Sequence, residues 1–390
     1  MNRAKFINSI KESIQHRNFI QLLRPFLASI HRYKLKRGYY INRVKSYFFN
    51  SLDAMEYNII TPSYKIEFND KERIFLDEKV YCERDLNKLE TQREVFSCIL
   101  NNVKFYGMSG GISYENKAIV ESFFNLNRLK DSICIDSFIF KHRYMKGIYS
   151  SIMHLDWAKK NIFHWLIDCL PRLYAITRYN NIRINLIVNS DIEKKQMELL
   201  KFFLDHRFRL ISINSNEVWT IERFIFPSFV SANCSGFIPK KYLDFIKENI
   251  IKGFSIQAAH NKNRIYVSRK KVAKRRLKNE KEIYDLLEKY NFSIIYPEDL
   301  SYKEQVETYY SAEILISVHG AGLTNIIFSD NLKVLEIFPP KKIKTHYFML
   351  CKALSFNYKY VIGFNQNPKN EDFEVDKNQV EVIIKEFLQE

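Results

Sequence analysis

One run of residues near the carboxyl end of the chain has the composition of a phosphate-binding turn. It reads Val318-His-Gly-Ala-Gly-Leu-Thr-Asn325 and ends an apolar stretch, residues 314–318, that predicts a buried strand. Glycines let a backbone approach a ligand closely, and the free N–H groups of a helix start attract anions. The alternative is a tight strand-to-helix turn whose glycines serve packing alone. The residues expected to contact phosphate are His319, Gly320, Ala321, Gly322, Leu323, Thr324 and Asn325.

Charged residues follow two other predicted strands at the same edge of the sheet. Residues 264–267 predict a strand, and Arg269 comes just after it, in a run of cations. The carboxyl ends of parallel strands form the ligand crevice of an open sheet, where cations offset the charge of a diphosphate. Glu336, near the end of strand 333–338, could accept hydrogen bonds from ribose hydroxyls. The alternatives are a solvated basic loop and a plain surface acid.

A histidine and an aspartate lie four residues apart in segment 161–174, whose apolar spacing is helical. This spacing places His164 and Asp168 on one helix face, so the pair could act as a general base with its orienting partner. Pro171 is expected to kink or end the helix. The alternative is a polar pair that braces a core helix. No third ligand accompanies the pair and the chain has no Asp-x-Asp, so no metal site is expected.

The elements that hold these residues alternate between strand and helix. After a β-rich region at 51–150, the pattern predicts an α/β unit, and from residue 264 it predicts a parallel, doubly wound sheet. Asn279 with Glu282, and Ser301 with Glu304, predict helix starts with capping boxes. Further predicted elements are strands at 184–188, 209–213, 223–226 and 292–296, and helices at 193–203, 242–251, 279–290, 301–312 and 376–387.

Charge is concentrated at the amino end of the 390-residue chain. The net charge is +17, and residues 1–50 hold eleven Lys/Arg against one acid, a surplus of ten. Apolar residues at helical spacing there predict a basic amphipathic helix, which either lies on an anionic membrane surface or packs on its own domain. The six cysteines form no C-x-x-C pair, which indicates a reducing cytoplasm. No signal peptide or membrane span is expected.

Six motifs, taken in order, resemble glycosyltransferase family 61 from about residue 107 to the carboxyl end. They are Asn161-Ile-Phe-His-Trp with Asp-Cys-Leu-Pro-Arg-Leu173, Tyr266-Val-Ser-Arg269, Arg276-Leu-Lys-Asn-Glu280, Pro297-Glu-Asp-Leu-Ser-Tyr-Lys-Glu-Gln305, Val318-His-Gly-Ala-Gly-Leu-Thr-Asn325 and Val334-Leu-Glu-Ile337. The resemblance implies a GT-B-like α/β fold, with two Rossmann-like domains facing across a cleft and a carboxyl-terminal helix that returns to the amino-terminal domain. The expected divisions are a basic appendage at 1–50, an acceptor-side domain at 51–250, a donor-binding domain at 251–370 and a crossover helix at 371–390.

The resemblance also implies an activity. The family is inverting, and the similarity to bacterial capsule and lipopolysaccharide enzymes implies a cytoplasmic protein, peripheral on the inner face of the cell membrane. The partners would be a nucleotide-sugar donor and a glycan or lipid-linked acceptor, with no nucleic acid, no metal and no other cofactor. Asn279 joins the donor set and Trp165 and Arg172 the acceptor side. Asp168 would be the base with His164 orienting it, or the reverse.

Three other classes of protein remain as alternatives. A nucleic-acid-binding protein would account for the net charge, although no recognised nucleic-acid motif occurs. A non-catalytic subunit of a polysaccharide assembly could bind a nucleotide-sugar without transferring it. A dehydrogenase-type enzyme fits poorly, because the turn lacks the third glycine of a dinucleotide fingerprint and follows the third strand of its unit.

Overall fold

The computed structural model describes residues 19–36, 41–42, 54–79, 90–124, 132, 134, 136, 138–152, 158, 161–231, 236–257 and 263–389. By its contacts the chain divides into two compact units. Unit 1 comprises Met1–Ser63 and Arg93–Asn233, and unit 2 comprises Tyr64–Gln92 and Cys234–Glu390. Most of the predicted basic appendage, at residues 1–18, 37–40 and 43–50, lies outside the described residues.

The described residues form ten α-helices and sixteen strands. The helices are α1 Phe19–Lys36, α2 Asp70–Lys79, α3 Ile162–His164, α4 Leu173–Ile176, α5 Lys194–Lys201, α6 Lys240–Phe254, α7 Glu280–Lys289, α8 Tyr302–Tyr310, α9 His346–Leu354 and α10 Lys377–Gln389. The strands of unit 1 are β1 Ile41–Asn42, β2 Ala54–Thr61, β5 Val95–Tyr106, β6 Ile112–Tyr114, β7 Lys117–Ile119, β8 Lys141–Ser151, β9 Ile184–Asn189, β10 Phe208–Ile213 and β11 Glu217–Pro227. Those of unit 2 are β3 Tyr64–Lys65, β4 Thr91–Gln92, β12 Asn263–Val267, β13 Phe292–Ile295, β14 Ala312–Val318, β15 Lys333–Phe338 and β16 Asn357–Ile362. A mixed α/β fold is therefore confirmed.

Unit 2 is built on a five-stranded sheet in the order β13-β12-β14-β15-β16, and every pairing in it is parallel. The chain passes from β12 to β13 on one side and returns to β14 on the other. The gap between β12 and β14 is thus the topological switch point, where open parallel sheets bind ligands at the carboxyl ends of their strands. The predicted parallel, doubly wound sheet is confirmed for this unit.

Helices cover both faces of the unit 2 sheet. On one face α7 and α10 bury apolar side chains against the strands, among them Leu287, Ile384 and Phe387. On the other face α2 and α9 pack Phe75 and Phe348 against the aromatic residues of β15 and β16. The expected return of the last helix to the amino-terminal domain is not confirmed, since its buried residues belong to the core of unit 2.

The two predicted capping boxes have different outcomes. At α8, Ser301 accepts from the Glu304 backbone N–H while the Glu304 carboxylate accepts from the Ser301 N–H, as predicted. At α7 the prediction of a capping box was wrong, because the Asn279 side chain makes no capping hydrogen bond. Its amide instead bonds to both backbone groups of Val375, so it holds the chain ahead of α10.

Unit 1 contains a mixed sheet in the order β1-β7-β6-β5-β11-β8-β9-β10, with β2 also paired to β5. Strands β11, β8, β9 and β10 are parallel to one another, whereas β5 is antiparallel to β11, β6 and β2. The parallel half places the carboxyl ends of β8 and β11 side by side. The crossover from β8 to β9 begins at this edge.

The basic helix α1 packs on unit 1. Leu27 is 3% exposed and belongs to a cluster with Phe140 and Val218. This packing is the second of the two alternatives drawn from the sequence, yet Phe26 and Tyr33 on the same helix stay largely exposed. Over the described residues, no helix combines the length and apolarity that a bilayer crossing requires.

Candidate functional site

The crossover between β8 and β9 carries His164 and Asp168 in a segment that changes its helical type. After α3, residues Trp165–Cys169 form one π-helical turn, Leu170–Arg172 a 3₁₀ turn, and α4 completes the segment. Pro171 has no N–H to donate to the preceding turn, which accounts for the break in the α-helical ladder. Wider turns of this kind recur at functional sites. The expected interruption at Pro171 is therefore observed.

His164 and Asp168 form a directly bonded pair, as their spacing predicts. The His164 Nδ1 lies 2.6 Å from Asp168 Oδ2, and the Ser231 hydroxyl donates to Asp168 Oδ1 over 2.7 Å. Asp168 and Ser231 are fully buried, whereas the His164 side chain is 20% exposed. An ionised Asp168 requires the proton on Nδ1 and directs the lone pair of the imidazole to Nε2. The pair can therefore present a proton acceptor to a ligand through the histidine.

Arg172 lies in the interior and links the carboxyl ends of β8 and β11. These two strands precede the His164–Asp168 segment and Ser231, respectively. The Arg172 guanidinium donates to the carbonyl oxygens of Ile152, just after β8, and Pro227, at the end of β11. It also stacks on Phe229 with its central carbon 4.4 Å from the ring centroid. Burial lowers the pKa of Arg172 to about 9. Trp165 is likewise buried, at 1% exposed.

In unit 2 the predicted phosphate turn lies at the topological switch point. The residues that follow β12 and β14 meet there, and the Arg269 guanidinium rests against Gly320. A Cβ added at Gly320 would lie only 2.1 Å from Arg269 Nη1. The glycine therefore makes room for the arginine. After Gly320 the chain enters a 3₁₀ helix, Ala321–Phe328, where the sequence predicted a helix, and the first N–H groups of a helix lack partners within it.

Two guanidinium groups converge on this turn, and neither is fully satisfied. Arg269 donates to the Lys274 carbonyl, and Arg275 donates to the His319 carbonyl over 3.0 Å. Among the described residues, the Nε atoms of both arginines are buried without a hydrogen-bond partner, and Arg275 Nε forms a longer ion pair with Glu371 Oε2 at 3.7 Å. Burial and the neighbouring charge of Arg275 lower the pKa of Arg269 to about 10. Buried donors close to like charges are expected where an anion binds.

His319 lies behind the turn as part of a buried chain of hydrogen bonds. Its Nδ1 is 2.5 Å from Glu336 Oε1, and Tyr358 donates its hydroxyl proton to Glu336 Oε2 over 2.7 Å. Burial, with the charges of Arg275 and Arg269, lowers the pKa of His319 to about 3. Burial also raises the pKa of Glu336 well above its usual range. A protonated Glu336 donating to a neutral His319 places the remaining imidazole proton on Nε2, where it can be donated to an oxyanion.

The other residues of the turn divide into an accessible front and a buried anchor. Ala321 is exposed and Gly322 partly exposed, so their backbone can meet a ligand. Leu323, Thr324 and Asn325 are at most 2% exposed. The Asn325 amide bonds to the side chains of Tyr302 and Gln305 on α8. The buried residues Leu323–Asn325 therefore fix the position of the accessible backbone at Ala321 and Gly322.

The sequence did not identify three residues of these clusters, Ser231, Arg275 and Tyr358. Ser231 follows β11 in the chain, and a single serine in a loop carries no motif. Arg275 lies in the run of cations that follows β12. The sequence does not show that its backbone is left-handed, with φ of 60°. Tyr358 lies on β16, where its register partner on β15 is Val334. Only the parallel pairing of β15 with β16 could have indicated that Tyr358 lies near Glu336.

Metal ligands are not clustered in the described chain. Within the part that the structure describes, no three His, Cys, Asp or Glu side chains are grouped in a way that could hold a metal ion. Four described cysteines, Cys98, Cys134, Cys169 and Cys351, are buried and free. Cys82 and Cys234 lie outside the described residues.

The chain is similar to a known protein family and to a plant enzyme. The family model Glycosyltransferase 61 matches residues 162–335, which contain both the His164 pair and the glycine turn. Beta-1,2-xylosyltransferase RCN11 of Oryza sativa subsp. japonica is 33% identical over 92 residues, or 21% of this chain. The matched part covers 17% of the length of that relative. Over residues 162–335 the chain is therefore similar to glycosyltransferase family 61.

Proposed function

We propose that the chain is an inverting glycosyltransferase that moves a sugar from a nucleotide-sugar to a glycan or glycolipid acceptor in bacterial surface polysaccharide biosynthesis. The observation that carries the proposal is the pair of incompletely satisfied guanidiniums, Arg269 and Arg275, beside the glycine turn. Their charge and geometry suit a diphosphate, which is the leaving group of a nucleotide-sugar. The family match adds the sugar transfer.

In this proposal unit 2 binds the donor and unit 1 the acceptor. The cations near His319, which include Lys342 and Lys344, favour the negative charge that develops on the leaving diphosphate. Glu336 acts by orienting His319, because both of its oxygens are already engaged. The GT-B-like arrangement, metal independence and a place in the cytoplasm at the inner membrane face belong to the same proposal.

His164 serves as the base, and Asp168 orients it. The acceptor hydroxyl oxygen attacks the anomeric carbon and forms the new C–O bond. The bond from that carbon to the diphosphate oxygen breaks, and its electron pair leaves with the nucleoside diphosphate. The hydroxyl proton passes to His164 Nε2. This assignment follows from burial, since Asp168 is fully buried while His164 is partly accessible.

The test is a turnover assay on the full chain with a panel of nucleotide-sugars. We expect at least one donor to release its nucleoside diphosphate, with transfer of the sugar to an added acceptor or to water. Binding of nucleoside diphosphates without turnover of any donor would instead indicate a non-catalytic subunit. Binding of nucleic acid but of no nucleotide would overturn the proposal.

Gly320→Ala is expected to weaken nucleoside diphosphate binding roughly tenfold, about the loss of one hydrogen bond to a charged group, while leaving the melting temperature nearly unchanged. The new Cβ would collide with Arg269 Nη1, and the flexible guanidinium would swing away from the turn. The control is the double variant Gly320→Ala/Arg269→Met, which should bind no more weakly than Arg269→Met alone, because the new Cβ then has no guanidinium to displace. Titration calorimetry on the three variants measures the effect. A further loss of affinity in the double variant would contradict the role of Arg269.

Ser231→Ala is expected to lower kcat about tenfold with little change in the KM for the donor. The variant removes a hydrogen bond to a charged group and leaves one oxygen of the buried Asp168 without that donor. The affinity for nucleoside diphosphate should stay the same, because Ser231 holds Asp168 and Asp168 orients His164. Ser231→Thr keeps the hydroxyl and should restore most of the activity. A loss of stability with an unchanged kcat would mean that Ser231 has only a structural role.

A further inference from the structure

The first half of β8 extends beyond the body of the unit 1 sheet. Residues Lys141–Met145 pair with β11, but β9 pairs only with Tyr149–Ser151. Among the described residues, no strand pairs with the other edge of β8 ahead of Tyr149. Side chains on both faces of this part are exposed, and they are Lys141, His142, Arg143 and Tyr144.

Aromatic and basic residues are interspersed along this edge. Phe138, three residues before β8, is 98% exposed, and Tyr144 is 61% exposed. Lys141 and Lys146 are exposed as well, whereas the exposed Arg143 is paired with the buried Glu217 carboxylate over 2.9 Å. Scattered apolar residues are normal on a protein surface, but two large aromatic rings within a run of cations form a specific combination. We call Phe138, Lys141, Arg143, Tyr144 and Lys146 the basic-aromatic edge.

The edge has features that discourage pairing with a strand of another protein. The register of β8 against β11 shifts near Gly147, which has φ of 103° and donates its N–H to the Glu222 carboxylate. Bulges and lysines on an edge strand are devices that prevent edge-to-edge association. A partner that contacts side chains, rather than backbone, is therefore favoured.

Helix α1 lies on one face of the same part of the sheet. Val218 of β11 is the register partner of His142 and packs in a cluster with Leu27 of α1. Side chains of paired residues share a face, so the face that bears His142 and Tyr144 is also the face that α1 covers. On α1, Phe26 is 64% exposed. Tyr144 and Phe26 thus each present an exposed ring on this face, whereas Lys141 and Arg143 alternate to the opposite face, so the edge carries cations on both sides.

We propose that the basic-aromatic edge, beside α1, docks on the surface of a bilayer containing anionic phospholipids. Aromatic rings enter the boundary between headgroups and acyl chains, and lysine and arginine contact the phosphates. Each cation near an anionic bilayer raises the affinity about fivefold. The charge of the edge selects an anionic surface, and the exposed rings favour a lipid over a soluble polyanion. This inference rests on the proposed place at the inner membrane face, and its test does not depend on transferase activity.

Co-sedimentation of the full chain with vesicles tests the proposal. The vesicles contain phosphatidylcholine, either alone or with 30–40% phosphatidylglycerol, as about the range that gives a strongly anionic surface. The double variant Phe138→Ser/Lys141→Glu should lower the affinity for anionic vesicles at least about twentyfold, because the charge reversal alone removes two charge units. The matched control is Phe364→Ser/Lys369→Glu, an exposed aromatic and an exposed lysine of unit 2.

The outcomes separate the possible partners. Binding to anionic but not neutral vesicles, lost in the edge variant and kept in the control, supports the proposal. Equal binding of both variants overturns it, as does binding to dextran sulfate without binding to vesicles, which would indicate a polyanionic glycan. Melting temperatures of both variants should match that of the unaltered chain, since all four positions are exposed. If both variants melt early, Tyr144→Ser alone repeats the test.

Discussion

His164→Asn is expected to lower kcat by roughly 10²–10⁴-fold, the usual contribution of a general base. An asparagine amide can still donate to Asp168, so the buried carboxylate keeps a partner. It lacks the Nε2 lone pair, so nothing accepts the proton of the attacking hydroxyl. The affinity for nucleoside diphosphate should stay the same, because that ligand is assigned to unit 2. Steady-state kinetics with a saturating donor, paired with calorimetry, separate the two effects.

The matched control for this variant is His206→Asn, which changes an exposed histidine of the same unit. It should retain full turnover. Asp168→Asn should also lose activity, because the amide no longer fixes the tautomer of His164. If His164→Asn turns over within about threefold of the unaltered chain while Asp168→Asn is inactive, the roles are reversed and Asp168 is the base.

Arg269→Met is expected to raise the Kd for nucleoside diphosphate roughly 10–150-fold, as hydrogen bonds to charged groups contribute about 1.5–3 kcal/mol. Methionine keeps much of the apolar stem and removes the charge. The stability should not fall, because Arg269 has no carboxylate within hydrogen-bonding distance among the described residues and is repelled by Arg275. Calorimetric titration with several nucleoside diphosphates gives the affinity, and thermal melting of the ligand-free variant gives the stability.

The neighbouring exposed cation provides the control. Lys270→Met removes the same charge from the same loop, at a side chain that is exposed. It should weaken binding only slightly and mainly at low salt, where surface charges act over longer distances. Arg269→Lys should fall between the two, since an ammonium cannot make the paired contacts of a guanidinium. Equal losses for Arg269→Met and Lys270→Met would mean that only the general positive field binds the ligand.

The elements of unit 2 were predictable because their signals are local. Short apolar runs bounded by turns, such as residues 314–318, identify buried strands, and Ser301 with Glu304 marks a helix start. Alternation of strand and helix then implies a parallel sheet with its ligand edge at the strand ends. The positions of His319 and Arg269 followed from that topology, and the structure places both at the switch point.

Contacts between residues distant in sequence were not predictable. Ser231 reaches Asp168 only because β11 and β8 are neighbours, and β11 follows β10 in the chain. Segment Tyr64–Gln92 groups with unit 2 because Phe68 and Phe75 pack against Phe338 and Phe348. No periodicity records such pairings. A motif likewise does not give the direction of a side chain, as Arg172 shows by pointing into the interior.

The direction of the Glu336 side chain was also not predictable from the sequence. Its place near the end of β15 suggested a contact with ribose, yet the side chain is fully buried between His319 and Tyr358. Alternation along a strand sends neighbouring side chains to opposite faces, and the sequence does not show which face is covered. The assignment of Glu336 as an orienting residue is therefore a proposal that the geometry supports, and the ribose contact stays a prediction.

The most direct test of the central claim uses water as the acceptor, so that the natural acceptor is not needed. The full chain is incubated with a panel of nucleotide-sugars, and proton NMR follows the free sugar before its anomers equilibrate. We predict that the first-formed sugar has the anomeric configuration opposite to that of the donor, and that His164→Asn abolishes its formation. Release of the sugar with the configuration of the donor, or release that persists in His164→Asn, would contradict the account.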